Sequence, residues 1–229
     1  MKTIALNEIS KYVKWDYVKQ KFLVIKEIEP KNIYLQKLLK NLRNGEINML
    51  NTYDILLETF PYVEKLNQEI INNAISMQEC VKKRVYKSIY NKQNKTLKLE
   101  ETKCTNKNHI NITKRFITEL NNMIYKFDVK EIFANRVFLN RDFNKPFIGK
   151  VDILMKTNSD YIQVELKTSK TNYLEKNNAN LYLNKILIET SREIKMRNLF
   201  ILNVRENQVF QEYEKPKKSL ENLILAKIF

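Results

Sequence analysis

Two short segments of this 229-residue chain combine residue types that can do chemistry. The first reads Lys150-Val151-Asp152-Ile153-Leu154-Met155-Lys156 and the second Tyr161-Ile162-Gln163-Val164-Glu165-Leu166-Lys167. Between them, Thr157-Asn158-Ser159-Asp160 is a run of turn formers. Both flanks alternate apolar and polar residues with period two, which predicts a hairpin. One face then holds Val151, Ile153, Met155, Ile162, Val164 and Leu166, and the other Asp152, Gln163, Glu165 and Lys167. A symmetric turn sets Asp152 directly across from Glu165. Opposed Cβ atoms in a sheet are about 4.5–5.5 Å apart, and like charges there are destabilising. A divalent cation between the carboxylates resolves the repulsion, and oxygen ligands suit Mg²⁺ or Mn²⁺. Lys167, on the same face, can orient or deprotonate a metal-bound water and balance charge on a phosphate. A plainer alternative stays open: two solvated acids neutralised by Lys150 and Lys167.

Asp152, a gap of twelve residues, and then Glu165-Leu166-Lys167 on adjacent strands resemble the core of the PD-(D/E)XK nucleases. Val151 replaces the proline of the motif, and Gly149 is the small residue that often precedes the metal-binding strand. Glu131 opens an upstream strand, where lambda-exonuclease-like and RecB-like members place a further acid. Downstream, Asn178-Ala179-Asn180-Leu181-Tyr182 is similar to their Gln-x-x-x-Tyr helix, with Asn178 in place of the glutamine. Residues i and i+4 share a helix face, so Asn178 and Tyr182 are candidates for substrate contacts. His109, the single histidine, stands upstream of the acids, as a metal-binding histidine does in some subfamilies. The likeness covers roughly residues 109–205. A Glu-x-Lys triplet alone carries nothing here, since Glu101 with Lys103 and Glu193 with Lys195 fit it too.

The resemblance implies Mg²⁺ or Mn²⁺ held by Asp152, Glu165 and the Leu166 carbonyl, with Glu131 and His109 supporting a second ion or a water. It implies Asp152, Glu165 and Lys167 as the catalytic set. The activity implied is hydrolysis of DNA phosphodiesters, as an exonuclease in replication, recombination or repair. A helicase, polymerase or recombination protein would then be a separate partner, since glycine-rich nucleotide-binding motifs are excluded by a chain with two glycines. Three alternatives remain: an RNA endonuclease of the viral cap-snatching type, a site-specific DNA endonuclease, and a non-catalytic nucleic-acid-binding subunit on the same fold.

The elements that must position these residues follow from periodicity. Residues 33–42, 50–57, 63–75 and 77–90 read as helical, 92–108 as an exposed polar loop, and 111–125 as a helix. Segments 131–139, 148–155, 161–167 and 199–204 read as strands, with helices over 173–192 and 220–228. The fold class is therefore α+β, and the resemblance implies a restriction-endonuclease-like mixed sheet flanked by helices. A helical N-terminal region, residues 1–108, would precede a nuclease core at 109–229.

Composition agrees with a nucleic-acid partner. Lys and Arg number 41 against 26 Asp and Glu, a net charge of +15, which favours phosphate-rich ligands. Lys82, Lys83, Arg84 and Lys87 with Tyr86 and Tyr90 form one basic stretch, and Arg192, Lys195 and Arg197 another. Either can track phosphates or be a solvated face. With 43% hydrophobic residues the chain can bury a core, and no apolar run approaches the ~18 residues of a membrane span. An acid at Glu8 precedes any signal-type apolar stretch, so an intracellular, non-secreted protein is expected, with Cys80 and Cys104 as reduced thiols.

Overall fold

The computed structural model describes residues 8–19, 21–25, 33–44, 50–61, 67–91, 96–101, 104–140, 147–169, 173–190, 194–205, 210–212 and 215–228. In chain order these form β1 (Val13–Asp16), β2 (Lys21–Val24), α1 (Ile33–Asn44), β3 (Leu50–Asn51), α2 (Thr52–Thr59), α3 (Gln68–Tyr90) and α4 (Lys107–Lys126). There follow β4 (Glu131–Asn140), β5 (Phe147–Lys156), β6 (Tyr161–Lys167), α5 (Leu174–Glu189), β7 (Met196–Asn203), β8 (Phe210–Glu212) and α6 (Lys218–Ile228). The architecture is α+β, a mixed six-stranded sheet flanked by helices; the periodicities predict the class and four of the six strands, and β3 and β8 are additional.

The central strand is β5. β4 runs antiparallel along one edge of it, from Glu131 opposite Lys156 to Asn140 opposite Phe147. The other edge meets two partners in turn. β3 pairs parallel with Phe147 and Ile148, and β6 pairs antiparallel from Ile153 to Lys156. Residues 149–152 fall between those ladders, so β5 and β6 part at Asp152 and open a fork. Beyond it β6 runs parallel to β7, and β7 antiparallel to β8. The observed hairpin pairs, Ile153 with Val164 and Lys156 with Tyr161, have the predicted register.

Each face of the sheet is sealed by helices. α3 and α4 set Val81, Val85, Phe116 and Leu120 against Ile153, Met155, Val164 and Leu166. α2, α5 and α6 set Ile55, Leu183, Leu187 and Ile228 against Phe138, Val151 and Leu154. Each fully buried side chain of this kind contributes about 1.5–3 kcal/mol. α4 forms because Ile112, Phe116, Leu120 and Met123 recur at helical spacing, and Asn106 caps its start through the amides of Asn108 and His109.

Four expectations need correction. The N-terminal region is not purely helical, because it supplies the β1–β2 hairpin and the sheet strand β3. The boundary at 108 separates α3 from α4, two helices of one core. The 92–108 segment is not simply an exposed loop: Leu97 is buried, its amide and carbonyl both held by Asn121. Finally, Val151 does not share a face with Ile153 and Met155. It packs with Leu154 on the α5 side, so the alternation slips at Asp152. Asn135 has a left-handed backbone (φ 52°), and Asn135 with Asp152 is the pair missing from the β4–β5 ladder. Ala134 faces α3 and α4 with Ile153, while Phe138 faces α5 with Val151, so both strands change parity at the same point.

Among the described residues, no helix is long and apolar enough to cross a membrane. The left-handed residue makes a test possible. A β-branched side chain is penalised there by about 1–2 kcal/mol, and glycine is not. Urea unfolding should therefore place Asn135→Val at least ~1 kcal/mol below Asn135→Gly; equal midpoints would show that the slip does not need this conformation.

Candidate active site

The fork is filled by charge. Asp152 is fully buried, and four donors converge on its carboxylate. Lys82 Nζ, at 2.5 Å, and the Leu166 amide, at 3.0 Å, donate to Oδ2. The Tyr86 hydroxyl, at 2.6 Å, and Lys150 Nζ donate to Oδ1. The Leu166 bond explains why the ladder stops: past Val164 a side-chain oxygen takes the place of a strand carbonyl. Glu165 lies beside this centre, with Oε1 3.8 Å from Lys82 Nζ and 3.3 Å from Lys167 Nζ. Lys82 thus bridges both acids. Its own side chain and that of Asp152 are almost wholly buried, whereas Lys167 keeps 20% of its surface.

Two elements of the N-terminal half complete the cage. α3 carries Lys82 and Tyr86, four residues apart and so on one helix face. The turn after β1 carries Tyr17, whose hydroxyl accepts from Lys150 Nζ at 2.8 Å and lies 3.3 Å from that of Tyr86. Lys150 also sits over the Tyr17 ring, 4.9 Å from its centre.

These contacts set the protonation states. Burial alone would raise the Asp152 carboxyl, but Lys150 and Lys82 hold it well below the usual carboxylate range. Burial opposes the Lys150 charge, and Asp152 outweighs it, keeping that ammonium protonated above its ordinary value. Burial and then the Asp152 charge push the Tyr86 hydroxyl well up, so it stays a donor. The cage holds two carboxylates and three ammoniums. The repulsion that the sequence assigns to a metal is therefore already met by lysines.

The predicted site residues divide. Asp152, Glu165, Leu166 and Lys167 come together, and Lys150 joins them. Glu131 does not. It pairs with Lys156 at 2.8 Å, four residues along β5 from Asp152, or roughly 13 Å of strand. His109 stands in the first turn of α4 with Nδ1 3.6 Å from Cys104 Sγ, and burial and then Arg84 lower its pKa. Cys80 and Cys104 form a disulfide with Cα atoms 6.5 Å apart, which overturns the expectation of two free thiols. Tyr182 donates to Glu221 Oε1 of α6 at 2.5 Å, away from the acids. Asn178 is buried in α5. Lys195 is exposed and precedes β7 at the Tyr161 end of the sheet, opposite the fork. Arg192 lies outside the described residues.

The basic stretch on α3 is also reassigned. Lys82 and Tyr86 enter the cage, buried Arg84 holds the Cys104 carbonyl, Lys87 holds the Glu101 carbonyl and the Tyr90 hydroxyl holds that of Ala134. Only the spacing of Lys82 and Tyr86 hinted at a shared target. Tyr17 carried no signal.

No family model matches the chain, and no curated protein matches it. Among solved structures it is similar to one titled "Crystal structure of SSO0001", with 14% identity over 77% of this chain and 81% of that one. The TM-score is 0.33, and the likeness carries no weight for fold or function.

The cage makes a pH-dependent prediction. Removing one member of a buried ion pair costs about 3–5 kcal/mol, so Asp152→Asn should lose that much in urea unfolding near neutral pH. The folded carboxyl is held low, so its contribution is complete well above its unfolded value of about 3.9 and fades as pH falls through and below it. The gap between wild type and Asp152→Asn should accordingly narrow below about pH 4. A gap unchanged between neutral and acid conditions would refute the ion-paired state.

Proposed function

We propose that the protein is a divalent-metal-dependent nuclease with a PD-(D/E)XK-type site, acting on DNA. One observation carries this reading. Glu165 Oε2 is buried and has no hydrogen-bond partner, although it lies in a cage crowded with donors. An orphaned carboxylate oxygen is costly. Beside Asp152, at the point where two strands part, it is an open ligand position for a hard cation.

Asp152, Glu165 and the Leu166 carbonyl would hold Mg²⁺ or Mn²⁺, whose oxygen preference fits this set. When bound, the metal supplies Lewis-acid activation of water and neutralises phosphate charge. The remaining roles belong to the chain. Lys150 and Tyr86 keep Asp152 ionised and fixed. Lys167 reaches the surface and can hold an attacking water or a phosphate oxygen by hydrogen bonds. The charge of +15 draws a polyanion toward the fork. Glu131, His109 and Tyr182, which bore the exonuclease-like and cap-snatching-like features, do not meet at the acids. The choice between end-directed and internal cleavage therefore rests with experiment.

A second reading has its own observation. Lys82 Nζ occupies the space between the carboxylates, which suits a non-catalytic nucleic-acid-binding subunit whose metal is permanently replaced by an ammonium. Cleavage assays on linear and closed-circular DNA and on RNA, in Mg²⁺, Mn²⁺ or EDTA, separate the two. The nuclease reading expects metal-dependent cutting that falls at least ~100-fold in Glu165→Gln and Lys167→Ala. Absence of cutting by wild type and by Lys82→Ala, with salt-sensitive DNA binding retained, would overturn it and leave the binding subunit.

A further inference from the structure

Three metal-binding side chains meet away from the acids. Cys80 on α3, Cys104 ahead of α4 and His109 in the first turn of α4 each offer a ligand atom, and these atoms lie within 4.8 Å of one another. We propose that the reduced protein binds Zn²⁺ through the Cys80 and Cys104 thiolates and His109 Nδ1, and that the Cys80–Cys104 disulfide is the metal-free alternative of the same site.

The geometry is already close to what the ion requires. With Zn–S near 2.3 Å and Zn–N near 2.0–2.1 Å, a tetrahedral site separates sulfur from nitrogen by about 3.5 Å and two sulfurs by about 3.8 Å. Cys104 Sγ and His109 Nδ1 stand 3.6 Å apart. Once the S–S bond is cut, the sulfurs need to part only by side-chain rotation. Two anchors keep the cluster in place. Arg84, one turn after Cys80 on α3, holds the Cys104 carbonyl, and Asn106 caps α4 through the His109 amide. All three ligating residues are half-buried, which leaves a fourth position for water. The donor set is soft sulfur with imidazole and contains no carboxylate. That selects Zn²⁺ over the Mg²⁺ or Mn²⁺ favoured at Asp152 and Glu165.

The chemistry balances with a dithiol as reductant. The dithiol gives two electrons and two protons to the disulfide, is itself oxidised to a disulfide, and leaves two cysteine thiols. Zn²⁺ then displaces both thiol protons. A small disulfide reverses the sequence: it takes two electrons from the cysteine thiolates, gains two protons to become thiols, and the re-formed Cys80–Cys104 disulfide expels the ion. The site does not depend on nuclease activity.

The test titrates Co²⁺, then Zn²⁺, into the full chain, reduced by a dithiol and freed of excess reductant under argon, beside the oxidised protein. Circular dichroism monitors folding. Thiolate-to-cobalt charge-transfer absorption marks this site, since carboxylate sites lack it. The expected result is saturation at one Co²⁺ per reduced chain, displacement by Zn²⁺, and no such band in the oxidised chain. Cys104→Ser should abolish the band, and His109→Ala should weaken binding at least ~10-fold. A folded, reduced protein without the band would overturn the proposal, as would wild-type affinity in His109→Ala.

Discussion

A carboxylate buried at the centre of a sheet dictates how this protein is put together. Asp152 has no access to water, so its charge persists only because ammonium, hydroxyl and amide donors surround it. The four donors come from three elements: two from α3, one from β5 itself, and one from the backbone of β6. The strand fork, the packing of α3 and the seat of the β1–β2 turn all serve that arrangement. An apolar residue at position 152 would remove the reason for β5 and β6 to part, and would leave Lys82 and Lys150 with only the more distant Glu165 as a counter-charge.

Much of the sheet was legible because short-range rules govern it. Alternation in 150–167 predicted both strands, and the turn length predicted the register observed from Ile153 to Lys156. The same alternation failed at Val151. A left-handed Asn135 on the neighbouring strand shifts the parity, and no pattern within β5 encodes what its partner does. The helix α3 was visible, but its basic stretch reads as tracking phosphates or as a solvated face, not as part of a buried cage. Burial of Lys82 depends on Asp152 lying 70 residues away, and lysine is a residue type almost never fully buried without a partner. The disulfide was unreadable for the same reason, since it requires α3 and the approach to α4 to meet.

The structure brings together the predicted residues whose motif is local and keeps apart those whose motif is dispersed along the chain. Asp152, Glu165, Leu166 and Lys167 lie on one hairpin, so spacing alone brought them together. Glu131 and Tyr182 were placed by analogy in position along the chain. In the structure a strand ladder carries the first to the far end of β5, and a hydrogen bond to Glu221 turns the second toward α6. His109 was a metal-ligand candidate for an acidic cluster and instead accompanies two sulfurs.

The cage also has a history in the folding of each molecule. Its contacts join Tyr17 to Lys150 across 133 residues and Lys82 to Asp152 across 70, separations that slow folding because long loops must close first. A ribosome-bound chain ending before β5 has Lys82 but no carboxylate to receive it, and Tyr17 but no Lys150 to donate to it. The site therefore waits for the β5–β6 hairpin to emerge, and until then the Lys82 ammonium of α3 stays in water without its two carboxylates.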